Sequence, residues 1–452
     1  MGLEGKKAAR PPGPRARIPL GHLFVFRRDV IGFLARLAKD YGDVAAFRIG
    51  PMHLCLVSRP DLVRDILTTH HQAFVKGRPL EMAKHLLGEG LLTSEGELHK
   101  RQRRMIQPMF HRERIQAYGK VMTMHADRLG RRWRHGETVD VFQEMMRLAL
   151  AIAGKTMFDS DVEADATEVG EALTDAMRLF GRVAVPFSEL LLMLPLPSTL
   201  RFRRAKARLD AIIYRLISSR RLSEEEHGDL LSLLLAARDD EADGAMMTDT
   251  QVRDEALIFF LAAHDTTALT LTWTWYLLSQ YPRVAAALHD ELDTVLGGRL
   301  PEVSDLARLR YANMVFAEAL RLYPPGYVLA RRALTEYPID QYVVPKGTLI
   351  LMSPYLMHRD PRFFTGPELF DPLRWESSDR ADRPKLAYFP FGGGPRVCIG
   401  ESFALMEGTL VLSTLAQHWR MRLVPGHPVE LLPLLNLRPK HGMRMIVERR
   451  TP

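Results

Sequence analysis

Residues 390–400 read Pro-Phe-Gly-Gly-Gly-Pro-Arg-Val-Cys-Ile-Gly. Three consecutive glycines let the backbone come close to something flat and bulky, because no Cβ stands in the way. The apolar-periodic run ESFALMEGTLVLSTLAQHW predicts an amphipathic helix that starts just after Cys398. A thiol at a helix N-terminus has a lowered pKa, since that end is partly positive, and backbone N–H groups there can donate to the sulfur. Arg396 adds positive charge and can hold a carboxylate. Together these residues suit a thiolate metal ligand. Two other readings stay open on these residues alone. One is a buried structural cysteine after a glycine turn. The other is a nucleophile, which needs a nearby histidine base.

The chain has 452 residues and two cysteines, Cys55 and Cys398, far apart and without a CxxC. That excludes a zinc framework and a disulfide scaffold, so any metal or nucleophilic role falls on one thiol, in a reducing, intracellular setting. Cys55 lies in the apolar stretch HLCLV and reads as a small core residue. Hydrophobic residues make up 46% and charged residues 26%, which excludes disorder and collagen. The net charge of +8 predicts attraction to acidic partners but does not choose among nucleic acid, an anionic membrane and an acidic protein.

The elements that must position Cys398 are mostly helical. Residues 43–57 alternate around Gly50-Pro51, which predicts a hairpin. Most of 58–335 reads as helix, with breaks at Pro108, Gly136 and Pro282. Residues 182–200 read as an apolar, proline-rich connection between two helices. Strand-like pieces return at 337–352 and 420–449. No regular β-then-α alternation occurs, which argues against a doubly wound sheet. Thr248-Asp249-Thr250-Gln251 fits a capping box, and no Pro or Gly follows until Pro282. The helix so predicted is about 45 Å long and apolar nearly all round, hence buried. Its stretch 257–278 resembles a membrane span, but His264 and Asp265 at its centre are costly in hydrocarbon. A buried helix is the expectation, with no membrane span. The N-terminus has no secretory pattern. Gly2 mimics a myristoylation start, but Lys6 stands where Ser or Thr is wanted. Residues 1–20 read as an extended Pro/Arg-rich arm and 21–452 as one domain.

FGGGPRVCIG resembles the FxxGxRxCxG haem-binding loop of the cytochrome P-450 family, with Phe391, Gly394, Arg396, Cys398 and Gly400 all in place. The resemblance implies that Cys398 is the proximal thiolate ligand of a heme b iron. A thiolate pushes electron density onto iron and favours O–O cleavage. Glu318-Ala-Leu-Arg321 resembles the family's ExxR, which alone would be an exposed helix pair. HRDP at 358–361 and FDPLRW at 370–375 fit its later segments, so Glu318, Arg321 and Arg374 are expected to brace the cysteine loop.

Ala262-Ala263-His264-Asp265-Thr266-Thr267 resembles Ala/Gly-Gly-x-Asp/Glu-Thr-Thr. By that resemblance Ala262 lets the helix graze the cofactor, and Asp265 and Thr266 relay protons to bound oxygen. Read without it, the threonine bonds back to its own helix. Ala263 replaces the usual Gly and narrows the groove. His99 and Arg103, at i, i+4 in EGELHKRQRR, look like propionate ligands, as does Arg331. Otherwise this charge run is a solvated face. A nucleic-acid patch would want interleaved aromatics and a fold motif, and neither is present.

The resemblance implies a mainly α fold, a triangular helical domain with a long central helix and a small β-rich region. It implies a cytoplasmic, monomeric monooxygenase of the soluble bacterial type. One oxygen atom from O2 would enter a lipophilic small molecule by hydroxylation or epoxidation, a terpenoid or another natural product. Electrons would come from a ferredoxin or flavodoxin with its reductase, because no flavin or iron–sulfur motif lies in the chain. That partner is expected on a basic face formed by Lys100, Arg104, Arg112 and Arg114. The substrate pocket is expected from 76–92, 182–200, 258–266 and Val328-Leu329. The alternatives are a fatty-acid hydroxylase of the same family and a non-catalytic haem-thiolate sensor, which would need no Asp265-Thr266 pair. A peroxide-driven relative or haem isomerase would normally drop that pair.

Overall fold

The computed structural model describes residues 9–159, 194, 196–222, 228–239, 241, 244–376 and 382–450. The elements used below are α1 (Leu23–Arg28), α2 (Val30–Tyr41), β1 (Val44–Ile49), β2 (Met52–Val57), β3 (Phe74–Lys76), α3 (Arg78–Leu87), α4 (Gly96–Ile106), α5 (Arg112–Arg132), β4 (Thr138–Asp140) and α6 (Val141–Phe158). They continue as α7 (Pro197–Leu222), α8 (Asp249–Gln280), α9 (Arg310–Leu322), β5 (Leu329–Ala333), β6 (Leu349–Met352), α10 (Glu401–Ala416), β7 (Trp419–Leu423), β8 (Leu431–Pro433), β9 (Leu437–Pro439) and β10 (Arg444–Arg449).

Helix α8 forms as its sequence requires. The Thr248 hydroxyl accepts from Gln251 N–H, and the Gln251 side chain accepts from Thr248 N–H at 2.9 Å, closing the capping box. From Val252 to Leu261 every residue is buried, and Trp273 and Trp275 lie in the core beyond. The polar side chains inside are satisfied locally. Thr270, Thr272 and Thr274 each donate to the carbonyl four residues back, at 2.7–2.9 Å. Among the described residues α8 is the one helix long and apolar enough to cross a membrane, and 83% of its most apolar window is buried in the protein. Its apolar surface is already covered by α6, α7, α9 and α10.

The predicted hairpin is β1–β2, turning at Gly50-Pro51, with Ala46 opposite Cys55. These strands edge a sheet of order β1-β2-β6-β5-β3 in which β6 runs parallel to β2. The β region also has a second sheet, β7-β10-β4, the hairpin β8–β9 and two short two-stranded pairs, Arg238–Asp239 with Ala245–Met246 and Tyr337–Ile339 with Tyr342–Val344. The arm belongs to this region, since Pro12 O accepts Ala46 N–H at 2.7 Å and Ala9 bridges to Tyr342. One boundary differs from expectation. Helix stops at Leu322 rather than 335, because Pro324 and Pro325 cannot continue it, and β5 takes up 329–333. Helix α10 differs too. It is buried all round from Met406 to Ala416 rather than amphipathic, because it packs among α5, α8 and α9. The expected connection at 182–200 falls largely outside the described residues, and α7 begins at Pro197.

Candidate active site

The glycine loop is required by its own geometry. Gly392 and Gly394 have φ of +77° and +67°, and a Cβ on Gly394 would stand 1.9 Å from Leu67 O. Phe391 O accepts Cys398 N–H at 2.9 Å, and Gly394 O accepts Val397 N–H at 3.0 Å. This turn delivers Cys398 three residues before α10 begins at Glu401. The Cys398 side chain is accessible, whereas Cys55 is fully buried in β2. The expected lowering of the Cys398 thiol pKa does not occur. Desolvation by the surrounding fold pushes it up, assisted by Glu401, and outweighs the Gly400 N–H and Arg103, which pull it down. A coordinated cation would reverse that balance, because a thiol that ligates a metal ion is deprotonated outright.

The loop is held by the acid–arginine group expected from the sequence. The Glu318 carboxylate accepts Arg321 Nε and Nη2 and Arg374 Nε, each at 2.8 Å, together with Trp375 Nε1 at 3.0 Å and Asp371 N–H at 3.1 Å. Arg321 also donates to the carbonyls of His358, Pro367 and Leu369. His358 carries the connection to the cysteine. Its Nε2 accepts Phe389 N–H at 3.0 Å, so the ring proton sits on Nδ1 and is donated to Arg321 O at 3.2 Å. Burial holds the His358 pKa well below its usual range, which keeps this tautomer neutral.

His99, Arg103, Arg331 and Arg396 come together from α4, β5 and the glycine loop. Arg103 Nη1 donates to Val397 O at 2.7 Å, beside the thiol. Arg396 Nη1 donates to Ser94 O at 2.8 Å and its other amine pairs with Glu95. Lys76, on β3 opposite Arg331, donates through Nζ to Leu91 O and Ser94 O. Burial depresses the whole set, and neighbouring like charge adds to it at His99, Lys76 and Arg331. His99 falls to about 3, from burial first and then Arg396, Lys76, Arg103 and Arg331. Lys76 falls to about 6 from burial, Arg396 and Arg331, with Glu95 opposing. Arg331 falls to about 10 from burial and Arg396. Lys76 and Glu95 were missed by sequence reasoning. A single lysine in a three-residue strand and one glutamate before a helix carry no local signal.

On α8 the burial pattern opens once. Ala262 is exposed and Ala263 and Thr266 are half-buried within a stretch, Val252 to Trp275, that is otherwise buried. Thr266 Oγ1 donates to Ala262 O at 2.8 Å, the back-bond that the sequence allowed. Asp265 is fully buried and faces elsewhere. Its carboxylate accepts Asn436 Nδ2 at 2.5 Å and pairs with Arg438, both on the β8–β9 hairpin. The structure therefore does not bring the Asp265 carboxylate and the Thr266 hydroxyl together. Thr267 turns to Glu407 on α10, whose carboxyl burial raises to about 8. Two of the four residues of the expected basic face are paired, and the Arg112 side chain lies outside the described residues. Lys100 pairs with Glu97 at 2.7 Å, and Arg104 pairs with Asp239 and Glu241, both at 2.7 Å. Arg114 is exposed.

This donor set fits a haem. An accessible thiol on a glycine turn suits the iron, a cluster of basic groups around a single carboxylate suits two propionates, and a small-residue opening on a rigid helix suits a close-lying ring. Residues 11–443 match the family model described as cytochrome P-450. Cyclooctatin synthase of Streptomyces melanosporofaciens is 38% identical over 96% of this chain and 94% of that protein. Cyclooctat-9-en-7-ol 5-monooxygenase of the same organism is 38% identical over 90% and 88%. Pentalenene oxygenase of Streptomyces avermitilis is 33% identical over 97% of each. Among solved structures, retinoic acid bound cyanobacterial CYP120A1 superposes with a TM-score of 0.89 at 25% identity, covering 98% of this chain and 100% of that one.

Proposed function

The chain belongs to the cytochrome P-450 family and is a haem-thiolate monooxygenase, and we propose that it oxidises a cyclic terpenoid, with electrons from a ferredoxin or flavodoxin and its reductase. The observation that carries the substrate class is the similarity, over nearly the full length, to relatives named for oxidising cyclooctat-9-en-7-ol and pentalenene.

The haem, when bound, supplies the activation of O2 and the transfer of one oxygen atom. The residues supply the rest. Cys398 ligates the iron, and His99, Arg103, Arg331 and Arg396 hold the propionates, with Lys76 added to that set. Phe391, Gly394 and Gly400 shape the loop, and Ala262 lets α8 approach the ring. Thr266 keeps its proton in the bond to Ala262 O and presents its remaining lone pairs to the opening. Asp265 is held on the β8–β9 side by Asn436 and Arg438. It reaches Thr266 only after releasing Asn436 or Arg438.

A binding screen read from the haem spectrum tests the substrate class. Cyclic terpenoid alcohols should displace the iron's water and shift the main absorption band, whereas straight-chain fatty acids should not. The reverse pattern would make the protein a fatty-acid hydroxylase. Cys398→Ser should abolish the thiolate-type spectrum of the reduced carbon-monoxide complex, and Cys55→Ser should keep it.

A further inference from the structure

Residues 88–94, between α3 and α4, are neither helix nor strand, so their main-chain groups must find partners elsewhere. Side chains distant in sequence supply them. Glu89 N–H donates to Asp254 at 2.8 Å and Leu91 N–H to Glu255 at 2.9 Å, both acids standing on α8. The carbonyls are held from other elements. Lys76 Nζ on β3 donates to Leu91 O at 3.0 Å and to Ser94 O at 3.1 Å, and Arg396 donates to that same Ser94 O at 2.8 Å. Leu91 is therefore spanned, with its N–H on Glu255 of α8 and its C=O on a cation of the basic cluster.

The approach is built for backbone. A Cβ on Gly88 would overlap the Asp254 carboxylate, and one on Gly90 would lie 3.0 Å from Glu255 Oε2 and 2.6 Å from Ile258 Cδ1. Stability alone does not account for Glu255. It is fully buried, its Oε1 has no hydrogen-bond partner among the described residues, and burial pushes its pKa up to about 8. A buried oxygen left unpaired is destabilising. An apolar side chain of similar size would avoid that cost but would leave the Leu91 amide without an acceptor. Glu255 also precedes Ala262 by seven residues, two turns of helix, so it stands on the face of α8 that carries the opening.

We propose that Glu255 is a positioning residue for haem capture, which through the Leu91 peptide holds Lys76 beside Arg396 in the basic cluster. The proposal rests on the reading of that cluster as the propionate site. Glu255 touches no haem atom in this role. It lends the rigidity of α8 to a segment with no ladder of its own, and a cation held in place binds an anion more tightly than one that must first be ordered.

The test is the rate at which haem passes from the full-length, haem-loaded protein to excess apomyoglobin, followed by absorbance. Lys76→Met should speed haem loss at least about tenfold, as for a lost charged hydrogen bond. Glu255→Met should speed it about fivefold, as for a lost neutral one. Glu255→Gln keeps an acceptor for Leu91 N–H and should stay within about twofold of the parent. In the Lys76→Met background, Glu255→Met should add less than about twofold, because the two residues act through one peptide. Hydrogen exchange of the haem-free chains should rise over residues 88–94 in Lys76→Met and in Glu255→Met, and stay as in the parent over 270–280. Unchanged haem loss in Lys76→Met would remove the propionate reading of the cluster, and this proposal with it. Fast loss in Lys76→Met with parental loss in Glu255→Met would overturn the proposal alone. So would failure of Glu255→Gln to restore retention, or a full fivefold effect in the Lys76→Met background, which is the mark of a merely structural residue. Parental exchange over 88–94 in Lys76→Met would overturn it too, whatever becomes of Glu255→Met.

Discussion

Two clusters of charge flank the cysteine loop, and they are built on opposite terms. Around Glu318 a single carboxylate meets two arginines, a tryptophan and a backbone amide, and the spare arginine donors reach main-chain carbonyls. Around Glu95 a single carboxylate meets Arg396, while Lys76, His99, Arg103 and Arg331 lie near with their pKa values depressed by burial and, for all but Arg103, by neighbouring cations. The first cluster is complete within the protein and fixes the fold. The second is short of negative charge, which is the state of a site that awaits an anionic ligand. Buried charge is stabilising only when fully paired, so the surplus cations mark where affinity for a cofactor was favoured over stability of the chain alone.

Breaking the complete cluster should have the largest effect. Glu318→Gln leaves Arg321, fully buried, and Arg374 without their anion. The expected loss is about 3–5 kcal/mol, seen as a lower thermal midpoint and as failure to retain haem. A variant with parental midpoint would show that the main-chain carbonyls alone satisfy both arginines.

The next effect concerns a buried acid just beyond the loop. Glu407 has its pKa raised to about 8 by burial, against an ordinary value near 4.5. A group raised in the folded state costs nothing below its unfolded pKa and loses stability as pH rises toward 8. Glu255, also raised to about 8, acts in the same direction, whereas the lowered His264 and His358 act oppositely below about pH 6.5. Glu407→Gln should match the parent at pH 5 and exceed it by on the order of 3 kcal/mol at pH 8. Thermal unfolding at the two pH values checks this, and an equal difference at both would assign Glu407 a purely steric role.

Arg396→Gln probes the incomplete cluster. Removing the cation that pairs with Glu95 should weaken haem binding by about 1.5–3 kcal/mol, the worth of a charged hydrogen bond. The haem-free chain should keep its thermal midpoint, because neighbouring cations are relieved as Glu95 loses its partner. Titration of haem into the apoprotein measures the first, and calorimetry the second. A fall in the apoprotein midpoint like that of Glu318→Gln would erase the distinction between the clusters.

The two clusters also differed in how far the sequence disclosed them. Glu318, Arg321 and Arg374 sit in short ordered motifs, and so does the cysteine loop. The capping box at Thr248 and the long unbroken run behind it placed α8 to within a residue. His99, Arg103 and Arg331 were legible through family wording and do gather. Lys76 and Glu95 were not, because their roles arise from β3–β5 pairing and from the Arg396 contact across 301 positions. The partners of Asp265 lie 171 and 173 residues away on a hairpin with no motif of its own. The direction of the Cys398 pKa was misjudged for a related reason. Helix-end polarity is local and visible in sequence, whereas the desolvation by protein packed around this accessible thiol, which overrides it, is a property of the assembled fold. The basic stripe likewise lost its character once Asp239 and Glu241 arrived from a distant turn.

The smallest effect on stability, and the finest test of the comparison, lies at Thr266. Its hydroxyl is neither in the complete cluster nor among the surplus cations, and its one intramolecular bond is to its own helix. Thr266→Ala should therefore leave the thermal midpoint within about 0.5 kcal/mol, as for a substitution that leaves no buried polar group unpaired. Haem content and substrate-induced spectral shift should match the parent. The change should appear in the fate of electrons, with more of the consumed reducing equivalents recovered as hydrogen peroxide and fewer as product. Asp265→Asn keeps an acceptor for Asn436 but removes the charge that holds Arg438, so it should slow turnover more than it diverts it to peroxide. The two variants separate the residue that faces the opening from the buried carboxylate that is held by the β8–β9 hairpin. Unchanged coupling in Thr266→Ala would mean that the hydroxyl serves only its back-bond to Ala262, and that proton delivery in this chain follows another route.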